Sequence, residues 1–583
     1  MKQMYIAALL LPWILTAGMV YAGNAPTAEI ESYIEKKMKE YRIQGISASI
    51  VEGNEVILAK GFGKSDKKNT ISADENTLFP IGSITKLFTA TAVMQLEEQG
   101  RIELDSPISA YMPDFGIKTR NPGTPVPTVR QLLTHHSGLP TNILCGFQEE
   151  APGKENYRDL PALLQQEYMV SEPDTAFAYC NIGYALLGVI IENVSGMSYS
   201  DYITKHIFRP LKMDDTAASL PVSMDHRFTK GYEGRKEIEP YPVRDISAGT
   251  ILSTGKDMSR FMLMVLGHGS LGNKTIIRKE TFETMITRQN SNIALDRDFS
   301  IGLGYWLIDP IGFSGERLAS HGGDLPPFHS VMITMPDAGI GVYLSANTSS
   351  ANGTIIQMAS DIVKMMYTEK TGKPVEEVPL PEETLLEEAA AAGLAGYYVT
   401  PMGLMEVRKK GKRMQAVLSG LPLDMIYHGE DLFTLQFRLL GLIPIKADML
   451  NIIRLNKFTY EDSPYIQISA AGVSAGVGEK FEPVPIPDSW AERTGKYEIL
   501  NPLPKGARDK VKKIKIRHDK KNRLLLFSFE FVGQKISIPL KAENDHQAVT
   551  AGIGACLGDT ITVEEEGGKE IIKWSGFSLQ RKG

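Results

Sequence analysis

Hydrophobic and polar residues follow two different patterns along this 583-residue chain. Up to about residue 370, segments with apolar residues three or four positions apart, which indicate helices, alternate with short apolar runs that indicate strands. Beyond residue 394 the character changes, and stretches such as 513–517 and 524–531 have the pattern of strands. The chain is therefore predicted to contain an α+β domain followed by an all-β region.

The predicted elements of the first region occur in an order that favours one domain. The predicted helices are residues 29–41, the apolar stretch from Ser83 to the closing Gly100, and residues 128–133, 181–194, 198–207 and 355–367. The predicted strands are residues 45–51, 55–61, 330–335 and 340–347. Because strands from both ends of the region would share a sheet, residues 23–372 are expected to form one domain.

The second region is predicted to be a pair of similar modules. Residues 373–392 are rich in Pro, Glu and Ala, which is typical of a linker. Two similar stretches, 394–398 and 493–497, lie about 100 residues apart, and each is followed by strand patterns. They predict two small, lipocalin-like β-barrel domains at 393–485 and 486–583. The basic run 510–523 is interpreted as a solvated strand face rather than a site for an anionic surface.

The N-terminus and the composition restrict location and partners. Lys2 precedes an uncharged stretch over residues 4–22, which predicts a signal peptide at residues 1–22 and an exported, periplasmic or extracellular protein. An uncleaved membrane anchor is the alternative. The net charge of −6 gives no reason to expect nucleic acid as a partner. Three cysteines cannot form a fully paired framework, and the sequence leaves open whether Cys145 and Cys180 pair.

The candidate chemistry begins with Ser83-Ile84-Thr85-Lys86 at the start of the long apolar run. Residues three apart on a helix share one face, with about 5–6 Å between Cβ atoms. A desolvated lysine amine can take the proton of a serine hydroxyl and so make it a nucleophile. The alternative is that Ser83 caps the helix while the Lys86 ammonium reaches solvent.

The same spacing occurs twice more in the chain. Ser65 and Lys68 lie in a polar stretch after Gly61-Phe62-Gly63, which is typical of a turn between strands. Ser253 and Lys256 precede an amphipathic run, so Ser253 is predicted to be a helix N-cap. Only Ser83 opens a run that is apolar all round and therefore buried.

Two more segments supply groups that an acyl-transfer site needs. Tyr179-Cys180-Asn181 offers a phenol, whose pKa a neighbouring Lys86 charge is expected to lower, and an amide that can hold Lys86 or the substrate.

His321-Gly322-Gly323-Asp324 is predicted to form a strand edge that substrate can approach closely. The backbone N–H groups of Ser83 and Asp324 are expected to form an oxyanion hole. His321 is expected to orient substrate or, if protonated, to pair with its carboxylate.

Further segments of residues 27–370 extend this set of motifs. They are Leu132-Leu133-Thr134-His135-His136-Ser137-Gly138-Leu139, Ser247-Ala248-Gly249 with Ser253-Thr254, and Gly302-Leu303-Gly304-Tyr305-Trp306. With them, the chain resembles the serine β-lactamase and D,D-peptidase superfamily, especially the class C β-lactamase, D-alanyl-D-alanine carboxypeptidase and family VIII esterase branch (peptidase family S12). The resemblance implies an antiparallel sheet with flanking helices, a helical subdomain beside it, and an active site between the two.

The resemblance also implies roles for individual residues. Ser83 matches the acylated nucleophile, Lys86 its activator and Tyr179 the general base and acid. Asn181 matches the amide of the second motif, and His321 stands where many relatives have the Lys of K-T-G. Gly322 and Gly323 follow it as substrate-binding positions, and no metal or organic cofactor is implied. Within this pattern His135 and His136 are expected to be structural.

The expected function is an exported serine hydrolase that forms an acyl-enzyme. Small D-amino-acid peptides or amides are the first expected substrates, as in a D,D-carboxypeptidase or an aminopeptidase. Short-chain esters come second and β-lactams third, because His321 and Pro326-Pro327 both depart from the pattern of dedicated β-lactamases. A non-catalytic penicillin-binding or sensor protein is the alternative from another class. The barrels are expected either to cap the cleft with a loop or to serve wall binding or self-association.

Overall fold

The computed structural model describes most of the chain downstream of its first 25 residues. The described residues are 26–145, 156–218, 227–238, 243–308, 313, 315–375, 380–411, 413–418, 420–439, 443–445, 450, 453–470, 473–501, 511–531, 534–554 and 557–582. The predicted signal peptide, Cys556 and the first residue of the basic run 510–523 lie outside them. Within the described residues, no helix has both the length and the apolar character that a bilayer span requires.

The first domain contains an antiparallel sheet that joins strands from both ends of the domain. Its strands in chain order are β1 Gly45–Glu52, β2 Glu55–Asp66, β3 Ile71–Ser72, β4 Phe79–Pro80, β5 Gly231–Glu233, β6 Lys236–Ile238, β7 Leu252–Ser253, β8 Ser270–Leu271, β9 Lys274–Thr275, β10 Ser300–Ile301, β11 Trp306–Ile308, β12 Leu318–Leu325, β13 Phe328–Met335 and β14 Ile340–Ala346. In the described part of the chain, eight of them form the main sheet in the order β10-β11-β12-β13-β14-β1-β2-β3. The N-terminal hairpin therefore pairs with the last strand of the domain, through Ile46 opposite Ala346.

Helices cover the sheet and form a separate bundle beside it. They are α1 Pro26–Tyr41, α2 Thr85–Glu98, α3 Val129–Leu133, α4 Leu160–Leu164, α5 Asn181–Ser195, α6 Tyr199–Ile203, α7 Arg209–Leu211, α8 Ile246–Gly249, α9 Gly255–Leu266, α10 Lys279–Met285 and α11 Thr354–Thr371. One apolar core lies between α1, α11 and the sheet, and a second joins α2, α5 and α9. α2 is buried from Thr85 to Leu96, as its all-round apolar sequence predicts.

Several predicted boundaries are wrong in detail. α2 begins at Thr85, because Ser83 lies in a 3₁₀ turn, Gly82–Ile84, that precedes it. The N-cap of α9 is Thr254 rather than Ser253, since the Thr254 hydroxyl accepts from the Asp257 N–H. The second strand continues past residue 61 because its end pairs with β3, so Ser65 lies in a strand and not in the turn.

Two β-barrels follow the first domain. The first has α12 Glu388–Leu394 and strands β15 Gly396–Thr400, β16 Gly403–Lys410, β17 Arg413–Leu418, β18 Leu421–Tyr427, β19 Leu432–Leu439, β20 Ile443–Ile445, β21 Ile453–Tyr460, β22 Ser463–Ala470 and β23 Val473–Phe481. The second has α13 Asp488–Glu492 and strands β24 Gly495–Ile499, β25 Val511–Asp519, β26 Leu524–Phe531, β27 Gln534–Asn544, β28 Gln547–Thr550, β29 Thr560–Glu566, β30 Lys569–Trp574 and β31 Phe577–Arg581.

Each barrel closes through pairing of its first strand with its last. In the described residues, β15 pairs with β23 and β18 with β19, which closes a ring of strands with β20 attached outside it. The second barrel closes through β24 and β31. The predicted fold class, an α+β domain followed by two β-barrels, is confirmed. The exact domain limits stay predictions, with α11 ending at Thr371 and β15 starting at Gly396.

Candidate active site

Ser83 is held at the edge of the main sheet by a tight turn. Gly82 has a φ of +53°, and a Cβ atom at this position would lie 2.7 Å from the Asp324 nitrogen on β12. The carbonyl of Ile81 accepts from the Ser330 hydroxyl at 2.7 Å, which ties the turn to β13. A glycine at position 82 therefore allows the backbone at Ser83 to approach the strand that carries His321 to Asp324.

Lys86 is fully buried one turn beyond Ser83. Its Nζ lies 3.1 Å from the Ser83 hydroxyl oxygen. It also donates to Asn181 Oδ1 at 2.8 Å and to the Ala248 carbonyl at 2.7 Å. These contacts exclude the alternative in which the Lys86 ammonium reaches solvent.

The surroundings of Lys86 favour its neutral amine. Burial lowers the pKa of Lys86 from 10.5 to about 7, and the negative charge of nearby Asp245 opposes part of that decrease. A neutral amine keeps two N–H donors, which the Asn181 and Ala248 oxygens can accept. The nitrogen lone pair is then left for the Ser83 hydroxyl, which is the arrangement that a general base requires.

Tyr179 completes the contact around the Ser83 hydroxyl but differs from expectation in its acidity. Its phenol is hydrogen-bonded to Ser83. Burial raises the pKa of Tyr179 well above its usual value of 10, which is the opposite of the predicted lowering. The Lys86 Nζ lies 4.9 Å from the centre of the Tyr179 ring, but the phenol is fully enclosed, so desolvation outweighs the hydrogen bond with Ser83 that lowers the pKa. Tyr179 is therefore a neutral phenol here, able to donate a proton.

Asn181 is positioned as the first residue of α5. Its backbone N–H donates to the Thr141 carbonyl at 3.0 Å, and its side-chain oxygen faces Lys86. Its amide nitrogen donates to Asn142 Oδ1 at 2.9 Å. Because Lys86 donates to the oxygen and Asn142 Oδ1 accepts from the nitrogen, the two contacts together set which end of the Asn181 amide faces the lysine.

β12 carries His321, Gly322, Gly323 and Asp324 and lies against the turn that contains Ser83. His321 Nδ1 lies 2.5 Å from the Gly322 carbonyl, so this nitrogen carries the hydrogen. Burial, and secondarily the Lys86 charge, lowers the pKa of His321 to about 3. In this structure His321 therefore offers no positive charge, and the pairing expected between a protonated His321 and a substrate carboxylate stays a prediction. Its Nε2 is buried and has no hydrogen-bond partner among the described residues, which leaves an acceptor without a donor.

The two glycines and Asp324 meet the turn that carries Ser83. A Cβ atom on Gly323 would lie 2.0 Å from the Ile81 carbonyl oxygen, so only glycine allows this contact. The Asp324 N–H lies next to Gly82, the neighbour of Ser83. The pair of backbone donors predicted for the oxyanion is thus brought together, although its role stays a prediction.

His135 and His136 hold the walls of the site. His135 Nδ1 accepts from the Cys180 N–H at 2.9 Å, and its ring packs 4.4 Å from that of Tyr179. His136 Nε2 lies 2.7 Å from Asp296 Oδ2. Among the described residues, no group of three or more His, Cys, Asp or Glu side chains is placed to hold a metal ion. Cys145 and Cys180 are both free thiols.

Sequence reasoning missed two groups that contact this site. The Ala248 carbonyl is a backbone acceptor, for which residue type gives no signal, although Ala248 lies in the Ser247-Ala248-Gly249 motif. Asn142 follows the noted segment 132–139 by three positions, and nothing in its surroundings marked it as a partner of Asn181. Both depend on contacts between segments distant in sequence.

The assembled groups can carry out acyl transfer. A hydroxyl lies between a buried amine and a neutral phenol, beside two backbone N–H groups. The amine can accept the serine proton, and the phenol can donate to a leaving group. The geometry thus accommodates nucleophilic attack on a carbonyl carbon with stabilisation of the oxyanion.

Comparisons with known proteins agree with this geometry. Residues 30–362 match the family model described as Beta-lactamase. Protein flp from Staphylococcus aureus is 27% identical over 336 residues, which are 56% of this chain and 64% of that protein. The chain thus covers less than two thirds of that relative. The Putative penicillin-binding protein PbpX from Bacillus subtilis is 28% identical over 349 residues, 59% of this chain and 80% of that protein.

Two solved structures have folds similar to that of this chain. The octameric penicillin-binding protein homologue from Pyrococcus abyssi is 26% identical, with a TM-score of 0.51 over 78% of this chain and 99% of that chain. SurE is 19% identical, with a TM-score of 0.58 over 78% of this chain and 99% of that chain, and shows the shared fold alone. The family match spans more than half of the chain and contains Ser83, Lys86, Tyr179 and His321. The chain therefore belongs to the Beta-lactamase family, within the serine β-lactamase and D,D-peptidase superfamily.

Proposed function

We propose that the protein is an exported serine hydrolase that cleaves amide or ester bonds through an acyl-enzyme on Ser83. The observation that carries the proposal is the buried Lys86 amine, whose Nζ lies 3.1 Å from the Ser83 hydroxyl oxygen. Because its pKa is lowered to about 7, about half of the molecules hold a neutral base at neutral pH. Tyr179 then donates its proton to the leaving group and is reprotonated by the Lys86 ammonium, which carries the proton taken from Ser83, and water releases the acyl product.

The substrate class follows from the charge that the site offers. A protonated lysine at the position of His321 would pair with a carboxylate, as in the K-T-G motif. His321 is neutral, and its Nε2 presents a lone pair. A substrate carboxylate at this position would face an acceptor, whereas an N–H or O–H donor of the substrate would be bound. Small D-amino-acid amides or peptides without a carboxylate next to the scissile bond are therefore the proposed substrates, with the D configuration taken from the superfamily.

Short-chain esters are the second candidate, and the same observation favours them over β-lactams. An ester of a small acid has no carboxylate beside its reacting carbonyl, whereas penicillins and D-Ala-D-Ala peptides have one. D,D-carboxypeptidase and β-lactamase activities are accordingly proposed to be weaker than amidase or esterase activity. A non-catalytic sensor would be acylated once and would not turn over.

The test compares four substrates on purified full-length protein. D-alanine p-nitroanilide and p-nitrophenyl butyrate lack the carboxylate, whereas a D-Ala-D-Ala peptide and nitrocefin carry it. The first pair should give the higher kcat/KM. In His321→Lys, a new ionic hydrogen bond is worth about 1.5–3 kcal/mol, so the preference should move about tenfold or more toward the carboxylate pair.

Three outcomes would contradict parts of the proposal. If the wild-type protein hydrolyses the D-Ala-D-Ala peptide fastest, the substrate class is wrong. Stoichiometric acylation without release of product would instead indicate the sensor. His321→Gln, which keeps an acceptor without gaining charge, is the control for damage to the fold. Export is tested separately, because a protein that starts at Met1 in the cytosolic fraction would contradict it.

A further inference from the structure

The second barrel contacts the catalytic domain through the turn at residues 574–577, between β30 and β31. Ser575 at the tip of this turn is almost entirely buried. Its hydroxyl accepts from the Leu144 N–H at 2.9 Å and donates to the Asn142 carbonyl at 3.4 Å. Its own carbonyl accepts from the Cys145 N–H at 3.1 Å. Three hydrogen bonds from one residue therefore fix the backbone of residues 142–145.

Side-chain packing reinforces the same contact. Leu144, although part of the first domain, belongs to the apolar core of the second barrel, together with Trp574 and Phe577. Gly576 approaches so closely that a Cβ atom there would lie 2.8 Å from the Cβ of Cys145. A buried leucine side chain in this setting contributes about 1.5–3 kcal/mol relative to an exposed one. The contact is thus built as an internal interface rather than a loose linker contact.

The segment held by this turn leads directly to the reacting groups. The Asn142 side chain accepts from Asn181 Nδ2 at 2.9 Å, and Asn181 Oδ1 faces Lys86 at 2.8 Å. Without the acceptor on Asn142, the Asn181 amide keeps only its contact with Lys86 and rotates more readily to present its nitrogen to the lysine. Two sets of donors would then face each other, and Lys86 would lose one of the acceptors that orient its lone pair.

A second path joins the same segment to the other acceptor of Lys86. Arg244 donates to the Ile143 carbonyl at 3.3 Å and to the Cys145 carbonyl at 3.2 Å. Arg244 also contacts Asp245 Oδ1 at 2.7 Å, immediately before α8. The Ala248 carbonyl of α8 is the acceptor for Lys86. Residues 142–145 therefore lie between the second barrel and both acceptors of the lysine.

We propose that Ser575 of the second barrel is a positioning residue of the active site, acting through Asn142 on the orientation of Asn181 and Lys86. The inference rests on the proposed function, because it concerns the proton transfer between Ser83 and Lys86. It assigns the second barrel to the catalytic unit, so that the barrel sets the rate of acylation without touching substrate.

The experiment measures acylation of the full-length protein by p-nitrophenyl butyrate in Ser575→Ala and Asn142→Ala. A misplacement of about 1 Å among reacting groups can cost ~100-fold, so a partial loosening should lower kcat about tenfold in each variant. KM should stay near the wild-type value, because neither residue is proposed to bind substrate. The double variant should lose little more than either single variant, since both changes act on one contact chain.

Ser528→Ala is the matched control within the same barrel. Ser528 is buried, and its hydroxyl lies 2.8 Å from that of Ser537, so the loss disturbs the barrel without reaching the catalytic domain. It should lower the melting temperature by an amount comparable to Ser575→Ala and leave kcat unchanged.

Two results would overturn the inference. One is wild-type kcat in Ser575→Ala at a melting temperature lowered like that of Ser528→Ala, and the other is fully additive effects in the double variant. If Ser575→Ala does not fold, Asn142→Ala decides the matter, because wild-type kcat there would remove the proposed relay. Failure of the proposed function is distinguishable, since the wild-type protein itself would then show no acylation.

Discussion

Two copies of the same motif, a serine and a lysine three residues apart, have opposite surroundings in this protein. Ser83 and Lys86 meet at 3.1 Å, and the lysine is fully buried. Ser253 ends β7, where its hydroxyl lies 2.9 Å from that of Thr216. The Lys256 side chain is 48% exposed, and its Nζ lies 3.9 Å from Asp215 on the surface.

The comparison separates what the spacing provides from what the fold provides. Three residues bring two side chains together only when the chain between them is helical. Ser83 lies in a 3₁₀ turn that continues into α2, whereas Thr254 in extended conformation separates Ser253 from α9. Burial then changes the lysine chemistry, because a surface ammonium keeps its proton while an enclosed one loses it more easily. The motif therefore becomes reactive through its surroundings.

Replacement of Ser83 or of Ser253 by alanine gives the largest expected difference between the two motifs. Ser83→Ala removes the nucleophile and should lower kcat for p-nitrophenyl butyrate by about 10⁵–10⁶-fold, a scale typical of serine hydrolases. Labelling by a serine-reactive fluorophosphonate should disappear as well. Ser253→Ala should keep both activities within about threefold, since its hydroxyl contacts only a structural partner. Labelling that persists in Ser83→Ala would end the assignment of the nucleophile.

The lysines should differ in the pH dependence that they confer. Burial lowers the pKa of Lys86 to about 7, so the amine is protonated below that pH and neutral above it. The rate of acylation should therefore rise with pH up to about 7 and then level off, whereas an unperturbed lysine would place the rise near 10.5. Lys86→Met should lower the rate by about 10²–10⁴-fold.

Lys256→Met is the control for that experiment. Its ammonium is on the surface, so both the rate and its pH profile should match the wild-type protein. Single-turnover acylation between pH 5 and 9 measures both quantities. A rising limb that persists in Lys86→Met, or one that moves in Lys256→Met, would assign the titration to another group.

The two motifs also show how much of the fold and of the site the sequence alone predicts. The run after Ser83 predicted a buried helix correctly, because an apolar helix surface has to be covered whatever the details of packing. The sequence predicts strands at the positions of β1 and β14, at opposite ends of the domain, and these two strands pair in the main sheet. Local patterns therefore predicted the fold class and brought Ser83, Lys86 and Tyr179 forward as candidates.

What the sequence did not predict depends on enclosure and on distant contacts. The pKa of Tyr179 was expected to fall beside a cation, yet full burial raises it. The pKa of His321 falls for the same physical reason, since both groups lose their hydration when charged. Neither the Ala248 carbonyl nor the contact of Ser575 with Leu144, 431 positions apart, has a signature in residue type.

The smallest expected effect concerns Thr254, which lies between Ser253 and Lys256 in the sequence. Thr254 caps α9, and its hydroxyl accepts from the Asp257 N–H at 3.1 Å. Thr254→Ala leaves that N–H without its acceptor and should lower the stability of the catalytic domain by about 1 kcal/mol, with a range of roughly 0.5–2 kcal/mol. Acylation by p-nitrophenyl butyrate should stay at the wild-type rate, because the cap contacts none of the reacting groups.

Thr254→Ser separates the cap from packing around the buried methyl group. Serine keeps the hydroxyl and is as good a cap as threonine, so most of the stability should return. Calorimetry of the full-length protein measures the transition of the catalytic domain apart from those of the barrels. If the serine variant loses as much as the alanine variant, packing rather than capping holds this end of α9. If acylation falls in either variant, the segment from Ser253 to Lys256 affects the reacting groups although it does not contact them. The difference between this segment and the one from Ser83 to Lys86 is then smaller than proposed.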